Sequence, residues 1–308
     1  MKQFISSLLA LIIILPLFSF PSHSINTNQP TLIYVDDTNT NGPWDGSLRH
    51  PFQIIQDGIN AASQNDIVFV SNGLYTQGVK INKSITLCGE DKENTVIGGE
   101  KISDINLETK VSITADHVTL TNFSIQYCQG INSYSEYNTI TNNLIKCNKI
   151  GVFIVSSSNN RIENNTIKSN NIGIGSYVAY MSQQGSENNL IENNMISFNR
   201  LGIWVWYGSN LIRNNTIKFN VKGVTLDGEN EICYNSFKHN GRNAVTHSIQ
   251  NEWYNNYWNR PRIIPYPILG KVGIISTFFT WFYLFPWIQF DWNPASEPYG
   301  ISDGGMNS

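Results

Sequence analysis

From residue 138 to residue 258 the chain writes one short alternation of polar and apolar positions six times: NTITNNLIKCNKIGVFI from Asn138, NRIENNTIKSNNIGIGS from Asn160, NLIENNMISFNRLGIWV from Asn189, NLIRNNTIKFNVKGVTL from Asn210, NEICYNSFKHNGRNAVT from Asn230 and NEWYNNYW from Asn251. Successive units start 22, 29, 21, 20 and 21 residues apart. A period near 21 is too short for helical-hairpin repeats of about 33 to 34 residues. The apolar positions are Ile and Val in short alternating runs, with neither a Leu framework nor a helical 3.6 period, so the unit predicts short strands.

Alternation sends Ile140, Ile162, Ile191, Ile212 and Ile232 inward as one column. Ile145, Ile167, Ile196, Ile217 and Phe237 form a second, and Val152, Ile174, Ile203, Val224 and Ala244 a third. One coil alone cannot bury its inner face, and stacking coils about 4.8 Å apart turns each column into a continuous apolar rod. Asn143, Asn165, Asn194, Asn215, Asn235 and Asn256 are expected to form a ladder in which each amide bonds to those above and below. Asn also tolerates the left-handed conformation of a tight corner. Gly151, Gly173, Gly202 and Gly223 recur at another corner, where backbone freedom is the expected reason. Weaker coils continue upstream from Asp66, Lys83 and His117, and Pro51 to Ala62 has apolar residues at the spacing of a short amphipathic helix that would plug the N-terminal end.

The termini change the picture. Lys2 followed by the apolar stretch Ile5 to Phe20 reads as an export signal with cleavage after Ser24. The chain then divides into a signal at 1–24, an N-terminal cap with its helix at 25–65, β-helix repeats at 66–260 and a C-terminal cap or tail at 261–308. No residue between Lys271 and Asp291 is charged, a length just reaching that of a membrane span. Beyond it the charged residues are only Asp291, Glu297 and Asp303, whereas a cytoplasmic tail would carry Lys or Arg. A hydrophobic cap is therefore favoured over membrane attachment. With 23 acidic against 20 basic residues, nothing points to nucleic acid as a partner. Cys88, Cys128, Cys147 and Cys233 contain no C-x-x-C pair. Cys128 and Cys147 lie close to one coil apart, which leaves open a bridge between coils or, more commonly, a buried free thiol.

The segment IYVDDTNTNGPWDGSLRHPFQIIQDGINAASQNDIVFVSNGLY, then KSITLCGE, the Asn-rich repeats, NYWNRPRIIPYPI and PWIQFDWNPASEPY together resemble the right-handed β-helix proteins of the NosD-like, pectin-lyase-like superfamily. The resemblance implies an all-β chain folded as a right-handed parallel β-helix of about nine or ten coils, with a short N-terminal capping helix and a C-terminal hydrophobic cap. It says little of function, because that superfamily holds lyases, glycosidases, epimerases, adhesins and members without known activity. Its NosD branch is associated with copper delivery. Here His50, His117, His239 and His247 are scattered and no His or Met pair has ligand spacing, so neither metal nor any other cofactor is expected. Polygalacturonase-like members carry Asn-Thr-Asp where this chain has Asn-Thr-Ile, at Asn138, Asn165 and Asn215. Glu163 and Glu192 are the acids in matching positions, and their expected role is solvated surface charge beside Arg213. No catalytic residue is assigned, and a secreted or cell-surface solenoid that binds carbohydrate or is structural, without catalysis, is the expected function. A polysaccharide-active lyase or glycosidase is the alternative, and a metal-delivery accessory a more distant one.

The step of 29 residues marks the place expected to bind. Its surplus, Tyr177 to Glu187, predicts a loop bulging from the solenoid. In the next coil Trp204 and Trp206 alternate with inward Ile203 and Val205 and so point outward, followed by Tyr207. Trp204, Trp206, Tyr207, Tyr177 and Tyr180 are the candidate carbohydrate-binding residues, since flat aromatics suit the apolar C–H faces of sugars. A loop folding down to bury both Trp residues as a satellite cluster is the competing outcome. A column of Lys146, Lys168, Ser197, Lys218 and Lys238 is expected to keep the surface soluble, or else to favour acidic polymers. A polysaccharide or cell-envelope glycan is the expected partner and the cell surface or exterior the expected location.

Overall fold

The computed structural model describes residues 29–99, 111–178, 186–276 and 280–299. The predicted signal segment and Tyr180 lie outside the described residues. The described chain winds into a right-handed parallel β-helix of about nine turns, with one short helix. Each turn lays one strand in each of three sheets. The first sheet runs from Leu32–Val35 to Glu252–Tyr254 and the second from Gly73–Tyr75 to Tyr257–Trp258. The third runs from Val79–Ile81 to Tyr266–Ser276 and closes with the antiparallel strand Thr280–Asp291.

Register follows the apolar columns. Ile140, Ile162, Ile191, Ile212 and Ile232 pair in sequence along the first sheet. Ile145, Ile167, Ile196, Ile217 and Phe237 do so along the second, and Val152, Ile174, Ile203, Val224 and Ala244 along the third. All are buried in one core cluster. A one-residue slip would turn a whole strand inside out, so the columns hold the register.

Three Asn ladders, rather than one, climb the corners. Between the first and second sheets, the Asn143 amide oxygen accepts from the Phe123 N–H at 3.0 Å. Asn143 donates through its own N–H to Asn165 Oδ1 at 2.9 Å, and Asn165, Asn194, Asn215 and Asn235 repeat the bond to the next Asn. Each side-chain NH2 also reaches back to a strand carbonyl of the preceding coil, as from Asn194 to Ile162 at 2.8 Å and from Asn215 to Ile191 at 2.8 Å. One amide thus clasps three coils. Asn138, Asn160, Asn189, Asn210, Asn230 and Asn251 repeat the N–H to Oδ1 bonds between the third and first sheets, with side-chain NH2 groups bonded to loop carbonyls such as Ser135, Ser158 and Asp227. Asn148, Asn170, Asn199, Asn220 and Asn240 repeat the N–H to Oδ1 bonds between the second and third.

The left-handed residues are not the ladder Asn residues but their predecessors. Asn142, Asn164, Asn193, Asn214, Tyr234 and Asn255 have φ between 53° and 58°. At the next corner Cys147, Ser169, Phe198, Phe219 and His239 have φ between 52° and 58°. The residue before the clasp must turn the chain, while the clasping residue must keep its amide in the wall. The recurring glycines also differ from expectation. None of Gly151, Gly173, Gly202 and Gly223 has positive φ; a methyl on Gly173 would lie 2.5 Å from the Gly202 carbonyl oxygen, and one on Gly202 would lie 2.4 Å from that of Gly223. They are required by close approach of neighbouring coils.

The helix is shorter than expected, Ile55–Ala61. Phe52 still pairs with the first strand, its N–H bonding to Tyr34 O at 2.9 Å and its carbonyl accepting from Asp36 N at 2.8 Å, and Ile54 remains extended. Ile55 and Ile59 then enter the core. At the other end Asp291, fully buried, occupies the place of a further ladder Asn: its Oδ2 accepts from Asn256 N at 2.9 Å, Asn256 Nδ2 at 3.1 Å and Trp258 Nε1 at 2.9 Å. Trp258 is sandwiched between Phe237 at 4.4 Å and Tyr266 at 4.1 Å.

Removing one clasp should be costly. Asn194→Ala leaves the Asn165 N–H and amide without their acceptor. At about 1–3 kcal/mol for each orphaned buried group, it should lower the unfolding free energy by about 3 kcal/mol or more. The exposed Asn171→Ala should shift it by less than about 0.5 kcal/mol. Urea unfolding followed by far-ultraviolet circular dichroism measures both, and equal midpoints would contradict the ladder's role.

Candidate functional site

The third sheet carries a run of half-buried aromatic side chains on its outer face. Strand Leu201–Trp206 buries Ile203 and Val205 and turns Trp204 and Trp206 outward, as alternation requires. Phe153, Gly175 and Trp204 stand in register on three successive coils, and Tyr177 pairs with Trp206. Gly175 leaves a gap between Phe153 and Trp204; a methyl there would lie 2.9 Å from the Phe153 ring. The Tyr177 ring stacks with Phe153 and with Trp204, each at a centroid distance of 6.4 Å. Trp204 meets Trp206 edge-on at 5.9 Å, and Trp206 meets Tyr207 at 5.9 Å. Four of the five candidate aromatics therefore form one continuous strip, joined by Phe153, and Tyr180 lies outside the described residues.

The strip leads to two titratable groups that periodicity did not single out. Asp227 and His247 fall one position past the paired residues Val205, Leu226 and Thr246, so Trp206, Asp227 and His247 occupy one level on successive coils. Asp227 Oδ1 accepts from Gly228 N at 2.9 Å. Burial pushes its carboxyl above the usual range, against the opposing pull of that hydrogen bond and of His247.

The other candidates resolve into structural roles. Glu163 and Glu192 are neighbours in register, but Glu192 is 7% exposed and ion-paired to Arg213 at 2.8 Å and Arg161 at 3.0 Å, with Arg161 also bonded to Glu163 at 2.7 Å. The expected solvated charge is instead a partly buried four-residue network. Lys146 pairs with Lys168 and Lys218 with Lys238 on the second sheet, all half-buried. All four cysteines are free thiols. Cys128 sits under Asn148, donating to its Oδ1 at 3.3 Å, and burial pushes this thiol up to about 11. Cys147 is the left-handed residue before that Asn, one position out of register for a bridge.

A groove of about 650 Å³ runs along the edge of the first sheet and includes Arg161, Glu229, Glu231, Gln250 and Glu252. Glu231 and Glu252 are paired in register, and Tyr254 donates a short hydrogen bond to Glu231 that holds its phenol well above the usual range. Among the described residues no group of three or more His, Cys, Asp or Glu could hold a metal ion.

Residues 59–273 match the sequence profile of a family described as "Periplasmic copper-binding protein (NosD)". Among solved structures, pectate lyase Pel9A superposes with a TM-score of 0.56 at 17% identity, over 75% of this chain and 70% of that one. Pectin methylesterase PemA from Erwinia chrysanthemi gives 0.36 at 12% identity, over 80% and 72%. At such identities the likeness speaks to the fold alone. No curated protein matches the sequence.

The raised Asp227 carboxyl has a testable sign. An acid whose folded value lies above its unfolded value weakens the folded state wherever it is ionised, and that cost disappears as pH falls through both values. Asp227→Asn should therefore raise the urea midpoint at neutral pH, and the gain should vanish by about pH 3, below the ordinary Asp value of about 3.9. A gain persisting at the acid end would show that charge is not its source.

Proposed function

Starting from a chain that belongs to the NosD family, we propose that this member is an exported, non-catalytic solenoid that binds glycans at the cell surface or outside the cell. The aromatic strip of the third sheet carries this reading. Its half-buried rings follow one another along the solenoid axis on strands of a rigid wall, and aromatic side chains suit the apolar C–H surfaces of sugars. The apolar N-terminal segment and the periplasmic description of the family support export.

Copper, which the family description names, does not fit the described residues. His117 is stacked on Tyr137 at 5.1 Å and His239 on Phe219 at 5.2 Å, on different coils. The buried Cys128 thiol is held protonated, whereas a metal takes a thiolate.

A second reading, a polysaccharide-active enzyme, is favoured by the three carboxylates of the large groove on the first sheet, Glu229, Glu231 and Glu252. The two readings place their chemistry on different sheets and separate cleanly.

Retention on immobilised polyuronides and neutral glycans should fall about tenfold in Trp204→Ala or Trp206→Ala, the loss of about 1.4 kcal/mol expected for one stacking ring. No new reducing ends or unsaturated products should form. Unchanged retention in both variants would remove the binding reading. Products that disappear in Glu231→Gln would establish the enzyme instead.

A further inference from the structure

The terminal hairpin, Tyr266–Ser276 with Thr280–Asp291, leaves the solenoid. Strand Tyr266–Ser276 pairs with its parallel neighbour Arg242–Thr246 at Gly270 and Thr246. Past Gly270 the hairpin is paired with itself, from Lys271 and Pro286 to Ser276 and Thr280. At about 3.4 Å per residue, this self-paired part reaches about 20 Å. No residue from 272 to 290 is charged, and Phe, Trp, Tyr, Ile, Val and Leu dominate the segment.

At the base of the hairpin lies a cleft of about 460 Å³ whose lining contains cations but no acid. Lys222 and Arg242 are exposed and paired in register on adjacent coils, and Lys271 is exposed on the hairpin itself. Neither Lys222 nor Arg242 is among the described residues that form a salt bridge to a carboxylate. Between the cations stand Leu269, Trp287 and Ile288, 50%, 43% and 49% exposed. In a chain of net charge −3, this face gathers positive charge around exposed apolar groups.

We propose that this cleft, at the base of the hairpin, forms a peripheral docking surface for an anionic lipid bilayer, with Lys222, Arg242 and Lys271 meeting headgroup phosphates and Trp287, Leu269 and Ile288 entering the interface. Cations at the rim of an apolar, Trp-bearing surface are the pattern of interfacial binding. A two-stranded hairpin has open backbone edges, which hydrocarbon cannot satisfy, so the hairpin seats among hydrated headgroups and does not span. A glycan fits less well, because the segment offers few side chains for sugar hydroxyls and Gln289 is already bonded to Trp253, Ile249 and Asn251. A symmetric second copy would bring the cations against their own kind.

Co-sedimentation of the chain with phosphatidylcholine vesicles, with and without phosphatidylglycerol, tests this. Binding is expected to the anionic vesicles only, and to be released in about 1 M salt, where the screening length is about 3 Å. Lys222→Gln with Arg242→Gln, both at exposed positions, should weaken it about 25-fold, at about fivefold for each cation. Trp287→Ala should weaken it further, while Trp204→Ala should leave it unchanged, which separates this surface from the aromatic strip. Equal binding to neutral vesicles, or none to either, overturns the proposal. So does a concentration-dependent dimer that masks the hairpin, or a double variant that loses glycan retention but keeps vesicle binding.

Discussion

A buried corner is the constraint under which this molecule is built. Each turn changes sheet at three corners, and at each the peptide N–H of one residue faces inward with no strand partner, in a wall that excludes water. An unpaired group there costs as much as several apolar contacts contribute. The Asn carboxamide solves the problem because it has one oxygen and two N–H groups on a short stem. The oxygen takes the orphan N–H of the coil before, and the two N–H groups hold a strand carbonyl of that coil and the amide of the next, as at Asn194. Bonds in such a chain polarise one another, and the Ile and Val columns keep the distances constant.

That constraint explains which features periodicity discloses. The inner columns follow from alternation, because burial of every second side chain is a property of the strand itself. That Asn must recur also follows, and its three places in each coil are written in the repeat. Which Asn of the pair Asn164–Asn165 turns the chain and which clasps it does not follow, because both are Asn and only the backbone tells them apart. The glycines were ambiguous for a similar reason: freedom and lack of volume are the same residue, and contact with the next coil decides between them. Cys128 and Cys147 lie one residue short of the 20-residue step that places Cys128 beneath Asn148, so a spacing that suggests a bridge delivers a clasp. Asp291 had no signal in the repeat, since it reaches the last ladder position from 35 residues away.

The site was legible to a comparable degree. Strand alternation turns Trp204 and Trp206 outward whatever surrounds them. The long step indicates where extra chain must emerge. The continuity of the strip depends instead on Gly175, whose missing side chain lets Tyr177 lie between rings two coils apart, and no pattern within one coil announces that. Asp227 and His247 sit just past strand ends, where alternation stops informing. The third sheet therefore carries its chemistry along the solenoid axis, from rings, through a raised carboxyl, to cations at the hairpin base, while the inner wall repeats unchanged.

The peptide hydrogen bonds of the ladder run one way: each Asn oxygen accepts an N–H from the coil made earlier, and each Asn peptide N–H donates to the coil made later. A chain emerging amino end first therefore carries, at each moment, a newest turn whose donors wait for an acceptor not yet synthesised. For the last turn that acceptor is Asp291, a carboxylate with no further amide to feed. The column thus ends in a group that only receives, and a copy released before that residue would keep an open, water-seeking rim.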